Sequence, residues 1–276
     1  MIGLGSNRLT IARRGGMSVT QAGRGGMEWL AGGRVPSWAS PYSAQATAAL
    51  KAQFTTQWPT IRDYGFAHPA LVPFINEDPM LVMSLIAGLG TRIVTTNNAS
   101  WVDTGLSMPN GARLKAKVTI LGANTHNVIL GAHELSSPYK RNMVGFHNGT
   151  FWLGEGNSDY NGGSYSIGST YEVDGTTKKG ASTMSVNGTT VIAPNTNTDD
   201  RSARNLYLFA NNNTNSGASQ FFNGRAEYAQ VYDTSDVLLK HYVPYKNGST
   251  DTMLDIVGLQ VADLHGTLTI SETPAS

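Results

Sequence analysis

The sequence contains no cysteine. That excludes disulfides, thiolate metal sites and a cysteine nucleophile, and it leaves the redox compartment undecided. Charge is scarce: 14% of the 276 residues are charged and the formal net charge is +1. A chain so close to neutral has no general electrostatic pull on nucleic acid or membrane. Long apolar runs are missing too. The longest, 80–89, is broken by Ser84 and Gly88 and reaches about half of the ~20 residues a spanning helix needs. The first residues lack the basic-then-apolar order of a signal peptide. These absences together give the expectation of a soluble protein made in a cytoplasm, without membrane insertion, that reaches any surface by assembly.

What is present is turn chemistry. Glycine is abundant, at 31 residues, and asparagine, threonine and serine cluster with it. Asn148-Gly149 lies between Val144 and Phe146 on one side and Phe151 and Leu153 on the other. Both turn positions of a two-residue hairpin need positive φ, which Asn-Gly supplies, and the flanking alternation gives one wet and one dry face. Asn187-Gly188 repeats the device. Short alternating segments with turn signals between them are expected as strands near 100–106, 114–121, 127–133, 142–147, 150–153, 164–167, 170–173, 183–186, 189–193, 206–210, 224–232 and 237–243. So many short strands suit a two-sheet jelly roll, an all-β sandwich occupying 92–276. Residues 154–166 and 211–219 are expected as loops, and Asp174-Gly175 as a turn.

The order of certain stretches adds to this. Trp101-Val102-Asp103-Thr104-Gly105 opens the region, Val128-Ile129-Leu130-Gly131-Ala132 follows, and then come the two hairpins and Leu206-Tyr207-Leu208-Phe209-Ala210-Asn211. The run from Phe222-Asn223-Gly224 to Tyr232-Asp233, followed by Tyr242-Val243-Pro244-Tyr245-Lys246-Asn247, completes the pattern. Over about residues 95–258 the chain resembles the concanavalin A-like, laminin-G-like β-sandwich modules common in proteins of gut bacteria and their phages. The usual ending is altered here to Met253-Leu254-Asp255-Ile256-Val257-Gly258, with 264–270 as an extra strand or extension. The resemblance implies two curved antiparallel sheets with the chain ends on neighbouring strands. It does not imply an activity.

The first third differs. Residues 1–34 hold five arginines against one acid, Glu28, and carry two echoes ten residues apart, Arg13-Arg14-Gly15-Gly16-Met17 and Arg24-Gly25-Gly26-Met27. Such glycine content disfavours autonomous folding. Three readings stand: a disordered basic tail, an RNA-binding tail weakened by the lack of interleaved aromatics, and an anchoring arm ordered by a partner. In the last reading Arg13, Arg14, Met17, Arg24, Met27 and Trp29 dock onto a particle. Residues 35–91 are broken by Pro36, Pro41, Pro59, Pro69, Pro73 and Pro79 and punctuated by aromatics. They read as a linker laid along another surface, with short helices at 43–58 and 80–89.

Catalytic equipment is not apparent. Glycoside hydrolysis needs two carboxylates across a cleft, and the nearest candidates are Glu155, Asp159, Glu172 and Asp174. The six histidines show no zinc spacing, and there is no Gly-x-Ser-x-Gly elbow or phosphate-binding loop. Asp199-Asp200 reads as a solvated acidic loop in preference to a calcium site. No cofactor and no metal are expected. Sugar binding is the stronger candidate, because a sugar offers CH faces to aromatic rings and hydroxyls to amides and carboxylates. The candidate set is Trp152, Asn157, Asp159, Tyr160, Asn161 and Tyr165. The competing reading makes Trp152 core and the asparagines turn formers.

The combined expectation is a non-enzymatic structural protein of a bacteriophage particle, a head decoration, fibre or tail appendage assembled in the host cytoplasm. Its partners would be other virion proteins and host glycans, and its exposed aromatics call for a homo-oligomer, a trimer by analogy with fibres. The alternative is a stand-alone carbohydrate-binding or glycan-cleaving protein of a gut bacterium.

Overall fold

A computed structural model of the chain describes residues 92–272 apart from 123, 214–216, 248 and 259. The expected arm 1–34, the linker 35–91 with its two helices, and the docking set Arg13, Arg14, Met17, Arg24, Met27 and Trp29 lie outside the described residues. Among the described residues there is no helix, and hence none long and apolar enough to cross a membrane.

The strands are β1 (Arg92–Thr96), β2 (Trp101–Ser107), β3 (Arg113–Ile120), β4 (His126–Glu134), β5 (Lys140–His147), β6 (Thr150–Glu155), β7 (Ser158–Ser164), β8 (Thr170–Thr176), β9 (Ser182–Val186) and β10 (Thr189–Asn195). They continue as β11 (Asn205–Leu208), β12 (Asn211–Asn213), β13 (Gly217–Ser219), β14 (Gly224–Tyr232), β15 (Leu238–Asn247), β16 (Thr250–Asp255), β17 (Gln260–Val261), β18 (Asp263–His265) and β19 (Leu268–Glu272). One sheet runs β10-β9-β8-β3-β14-β15-β16-β17, with β1 beside β14 and β19 beside β1. The other runs β18-β2-β11-β4-β5-β6-β7, with the short β12 joining β4 in parallel and β13 beside β12. The remaining registers are antiparallel. This is the expected all-β two-sheet sandwich, and β1 and β19 put the two ends of the described region on neighbouring strands, as the resemblance implies.

Alternation builds the core. In β3, Leu114, Ala116, Val118 and Ile120 are buried while Arg113, Lys115, Lys117 and Thr119 face outward. Val144, Phe146, Phe151 and Leu153 do the same from β5 and β6, and the rings of Phe146, Phe209 and Phe222 stack at about 6 Å between centroids. The two hairpin turns form as expected: Asn148 and Gly149 have φ of 47° and 83°, and Asn187 and Gly188 have 49° and 77°.

Three expectations are corrected. Residues 158–164 form a strand, β7, paired with β6 from Glu155↔Ser158 to Thr150↔Ser164, and 165–167 lie outside any strand. Residues 211–219 are likewise not all loop, since they hold the β12-β13 pair. Asp174-Gly175 is not a turn but mid-strand, with Asp174 opposite Lys115 and Gly175 opposite Leu114. Gly175 is there for space: a Cβ on it would fall 2.8 Å from Val144 Cγ1 of the facing sheet. At one side the sheets close on each other, where Gly162 of β7 leaves room for the Val191 carbonyl of β10. At the opposite side the chain itself crosses from β17 to β18, between the sheets.

A buried clamp holds the connection between β10 and β11. Arg201 Nη2 donates to Glu155 Oε2 at 3.0 Å, both side chains being fully buried. Arg201 also donates to the carbonyls of Thr177 (2.7 Å) and Asp199 (2.6 Å) and to Asn197 Oδ1 (3.1 Å). Burial lowers the Arg201 pKa and raises that of Glu155, and the opposite partner charge counters each shift.

Candidate glycan-binding site

The six residues singled out in the sequence do not assemble into one open site. Trp152 is 1% exposed and packs with Val128 and Met143 in a small cluster apart from the main core. Its ring lies over Gly154, where a Cβ would meet it at 2.8 Å, and its Nε1 donates to Asp159 Oδ1 at 2.9 Å. Asp159 is held again by Arg141 Nη1 at 2.6 Å. Asn161 accepts a hydrogen bond from Thr150 Oγ1, and the Asn157 N–H donates to Asp199. Tyr160 and Tyr165 turn inward and pack against the main core. Trp152, Asp159 and Asn161 are therefore neighbours, while the two tyrosines belong to the other face.

Of the carboxylates named as candidates for chemistry, Asp159, Glu155 and Asp174 are similarly committed, while Glu172 is exposed on β8. Glu155 is locked to Arg201, and Asp174 accepts two hydrogen bonds from Arg113 at 2.8 Å each. Asp200 pairs with Lys179 (2.7 Å) and Lys140 (3.7 Å), which lowers its pKa. His126 and His147, opposite each other across β4 and β5, stack at 4.3 Å. Burial and the neighbouring imidazole lower the His126 pKa.

A different constellation lies on β18, β2 and β11. Val102 and Thr104 of β2 point into the core, so Trp101 and Asp103 occupy the outer face. Leu206 and Leu208 of β11 point inward, which sends Tyr207 outward. The register sets His265 opposite Trp101, and sets both Asp263 and Tyr207 opposite Asp103. The Trp101 and His265 rings stack at 4.7 Å with 4° between their planes, Tyr207 lies 6.0 Å from Trp101, and Phe221 lies 5.9 Å from it. Trp101, Tyr207 and Phe221 are partly exposed and His265 is exposed. The buried Nε1 of Trp101 has no hydrogen-bond partner among the described residues.

Polar groups flank this tract. Asp103 accepts from the Gly105 N–H (2.8 Å) and from Asn205 Nδ2 (3.2 Å). Gly105, at φ 69°, takes the left-handed turn that places its N–H there. Asp103, Asn205 and Asp263 also line a cleft of about 510 Å³ that includes Lys240, Tyr242 and Asp255. Asp255 is saturated by Lys240 Nζ (2.9 Å) and the N–H groups of His241, Val257 and Gly258. Tyr242 is 2% exposed and lines the cleft, and its phenol takes no hydrogen-bond partner among the described residues. Burial first, then Asp255 and Asp103, push its pKa up, so the phenol remains a proton donor. Strict alternation marks Trp101 and Tyr207 individually as outward-facing rings, since each sits between inward-facing residues where a solvent-facing strand position is ordinarily polar, but it does not bring them together.

No protein-family model matches the chain, and no curated protein matches it. Solved structures do. A Bacteroides ovatus protein provisionally assigned to carbohydrate binding superposes with a TM-score of 0.50 at 13% identity, over 68% of this chain and 61% of that one. Domains LG4-5 of the mouse laminin α1 chain give 0.41 at 14% identity, over 68% and 48%. A heptameric pentraxin from Limulus polyphemus gives 0.38 at 15%, over 54% and 77%. The chain thus covers less than two thirds of the Bacteroides ovatus structure. The fold of the described residues is that of the concanavalin A-like, laminin-G-like sandwiches.

Proposed function

We propose that this protein is a non-catalytic glycan-binding sandwich that takes its ligand on the tract formed by Trp101, Tyr207 and His265. The carrying observation is that row of partly exposed rings on a sheet's outer face, bordered by Asp103, Asn205 and Asp263. Rings stack on the CH faces of a pyranose while carboxylates and amides accept from and donate to its hydroxyls. The ascription of carbohydrate binding to the Bacteroides ovatus protein of like fold agrees with this reading. Non-catalysis is supported by the engagement of Glu155, Asp174 and Asp255 in ion pairs, which leaves none of them placed as a free acid or base. A glycan array tests the reading. Binding by the full-length protein should fall at least about tenfold in Trp101→Ala. Unchanged binding in that variant, or no binding to any glycan, removes it.

The same proposal has the protein carried on a bacteriophage particle as a structural component. Support comes from the sequence, in which a Gly/Arg arm and a Pro/aromatic linker precede the sandwich. The arm would contact other virion proteins and copies of the chain would associate. A stand-alone protein of a gut bacterium would share the binding site and lack the particle. Mass spectrometry of purified particles from the source separates the two.

A further inference from the structure

Asp103 and Asp263 are cross-strand partners on β2 and β18 and both line the 510 Å³ cleft. Like charges directly opposite each other in an antiparallel pair are destabilising. Local rules of this kind are broken where a site requires it. The charge is not compensated within the cleft: its lysine, Lys240, is engaged by Asp255 at 2.9 Å. His265 Nε2 lies 3.7 Å from Asp263 Oδ1, but its ring is stacked flat on Trp101 and is a cation only when protonated. Asp103 keeps acceptor capacity beyond Gly105 and Asn205. A second, independent feature points into the same space. Tyr242 is almost wholly buried, lines the cleft, and offers a phenol that no group among the described residues satisfies.

We propose that the cleft receives a protonated amine, and that the ligand is a polysaccharide bearing free amino groups, a deacetylated hexosamine. This rests on the glycan reading above and specifies its substrate class. An ammonium has three donors for the facing carboxylates and is attracted by the π-faces of Trp101 and Tyr207. Its sugar ring stacks on the tract, and a ring hydroxyl or ring oxygen meets the Tyr242 phenol. A metal ion would find two carboxylates and no use for the rings. A uronic or sulfated sugar would meet like charge.

Calorimetry on the full-length protein with a hexamer of glucosamine, the same hexamer fully N-acetylated, and cellohexaose tests this. The amino hexamer should bind about tenfold more tightly than the other two at low ionic strength, and added salt should shrink the margin. Asp103→Asn and Asp263→Asn should erase the preference, and Asp103→Asn retains the oxygen that accepts the Gly105 N–H. Trp101→Ala should weaken binding to all three. If the three hexamers bind equally and all depend on Trp101, the glycan reading survives and the amine falls. Tighter binding of any hexamer that requires added calcium also overturns the amine, in favour of a metal between the two carboxylates. If no hexamer and no array glycan binds, the glycan reading itself fails.

Discussion

Arg201 and Glu155 illustrate how one side chain can anchor a long connection. Their ion pair has no solvent contact, and the guanidinium also ties down three carbonyls and an amide. Removing one partner strands the other charge, so Arg201→Met should destabilise the sandwich by about 3–5 kcal/mol in urea unfolding. Adding Glu155→Leu should restore much of that loss, because the double variant leaves no buried charge. His241 gives a pH prediction. Burial pushes its imidazole from an ordinary 6.5 down to about 4, with Asp255 countering in part. Between those values the unfolded chain takes up a proton that the folded one refuses, so stability falls as pH drops through that window. The urea midpoint of His241→Gln should decline less between pH 7 and pH 4 than that of the wild type. Trp152 shows what was hard to read at this scale. A tryptophan between Phe151 and Leu153 is outward by alternation, and that is where it lies. Its enclosure comes from Val128, Met143 and the bare Gly154 of its own sheet, which alternation does not encode.

Strands were legible where composition and register agree. β3 and β14 alternate, and the Asn-Gly turns fix the partners of two hairpins. β7 was not legible, because Asn161, Gly162, Gly163 and Ser164 have turn composition. It is a strand because β6 pairs along its length and because Val191 needs a residue without a side chain at 162. A Cβ there would fall 1.9 Å from the Val191 carbonyl oxygen. Gly162→Ala should therefore cost about 1–3 kcal/mol through displaced backbone. Thermal melts would show it, and an unchanged midpoint would mean that the two edge strands have slack. Trp152→Ala should cost about 3–5 kcal/mol in the same assay. Any protein that still folds should keep the glycan affinity proposed here, since the proposed tract lies on β18, β2 and β11.

For the whole molecule, sandwich class and chain-end placement could be read from the sequence, and the candidate site could not. Trp101, Tyr207 and His265 are far apart in the chain, and only the β18-β2-β11 pairing brings them together. Asp263 faces Asp103 for the same reason. The described region has its own core and closes its own sheets, so a chain beginning at residue 92 should still melt in one cooperative transition with unchanged far-ultraviolet circular dichroism. Loss of that transition would mean the sandwich needs the preceding residues. The pairing of β1 with β19, and of β1 with β14, has a mechanical side. Tension applied through the two ends of the sandwich enters and leaves at a single corner. The backbone hydrogen bonds of that corner carry the load, while the strands beneath the proposed binding tract stay slack, so the tract keeps its shape until the corner tears.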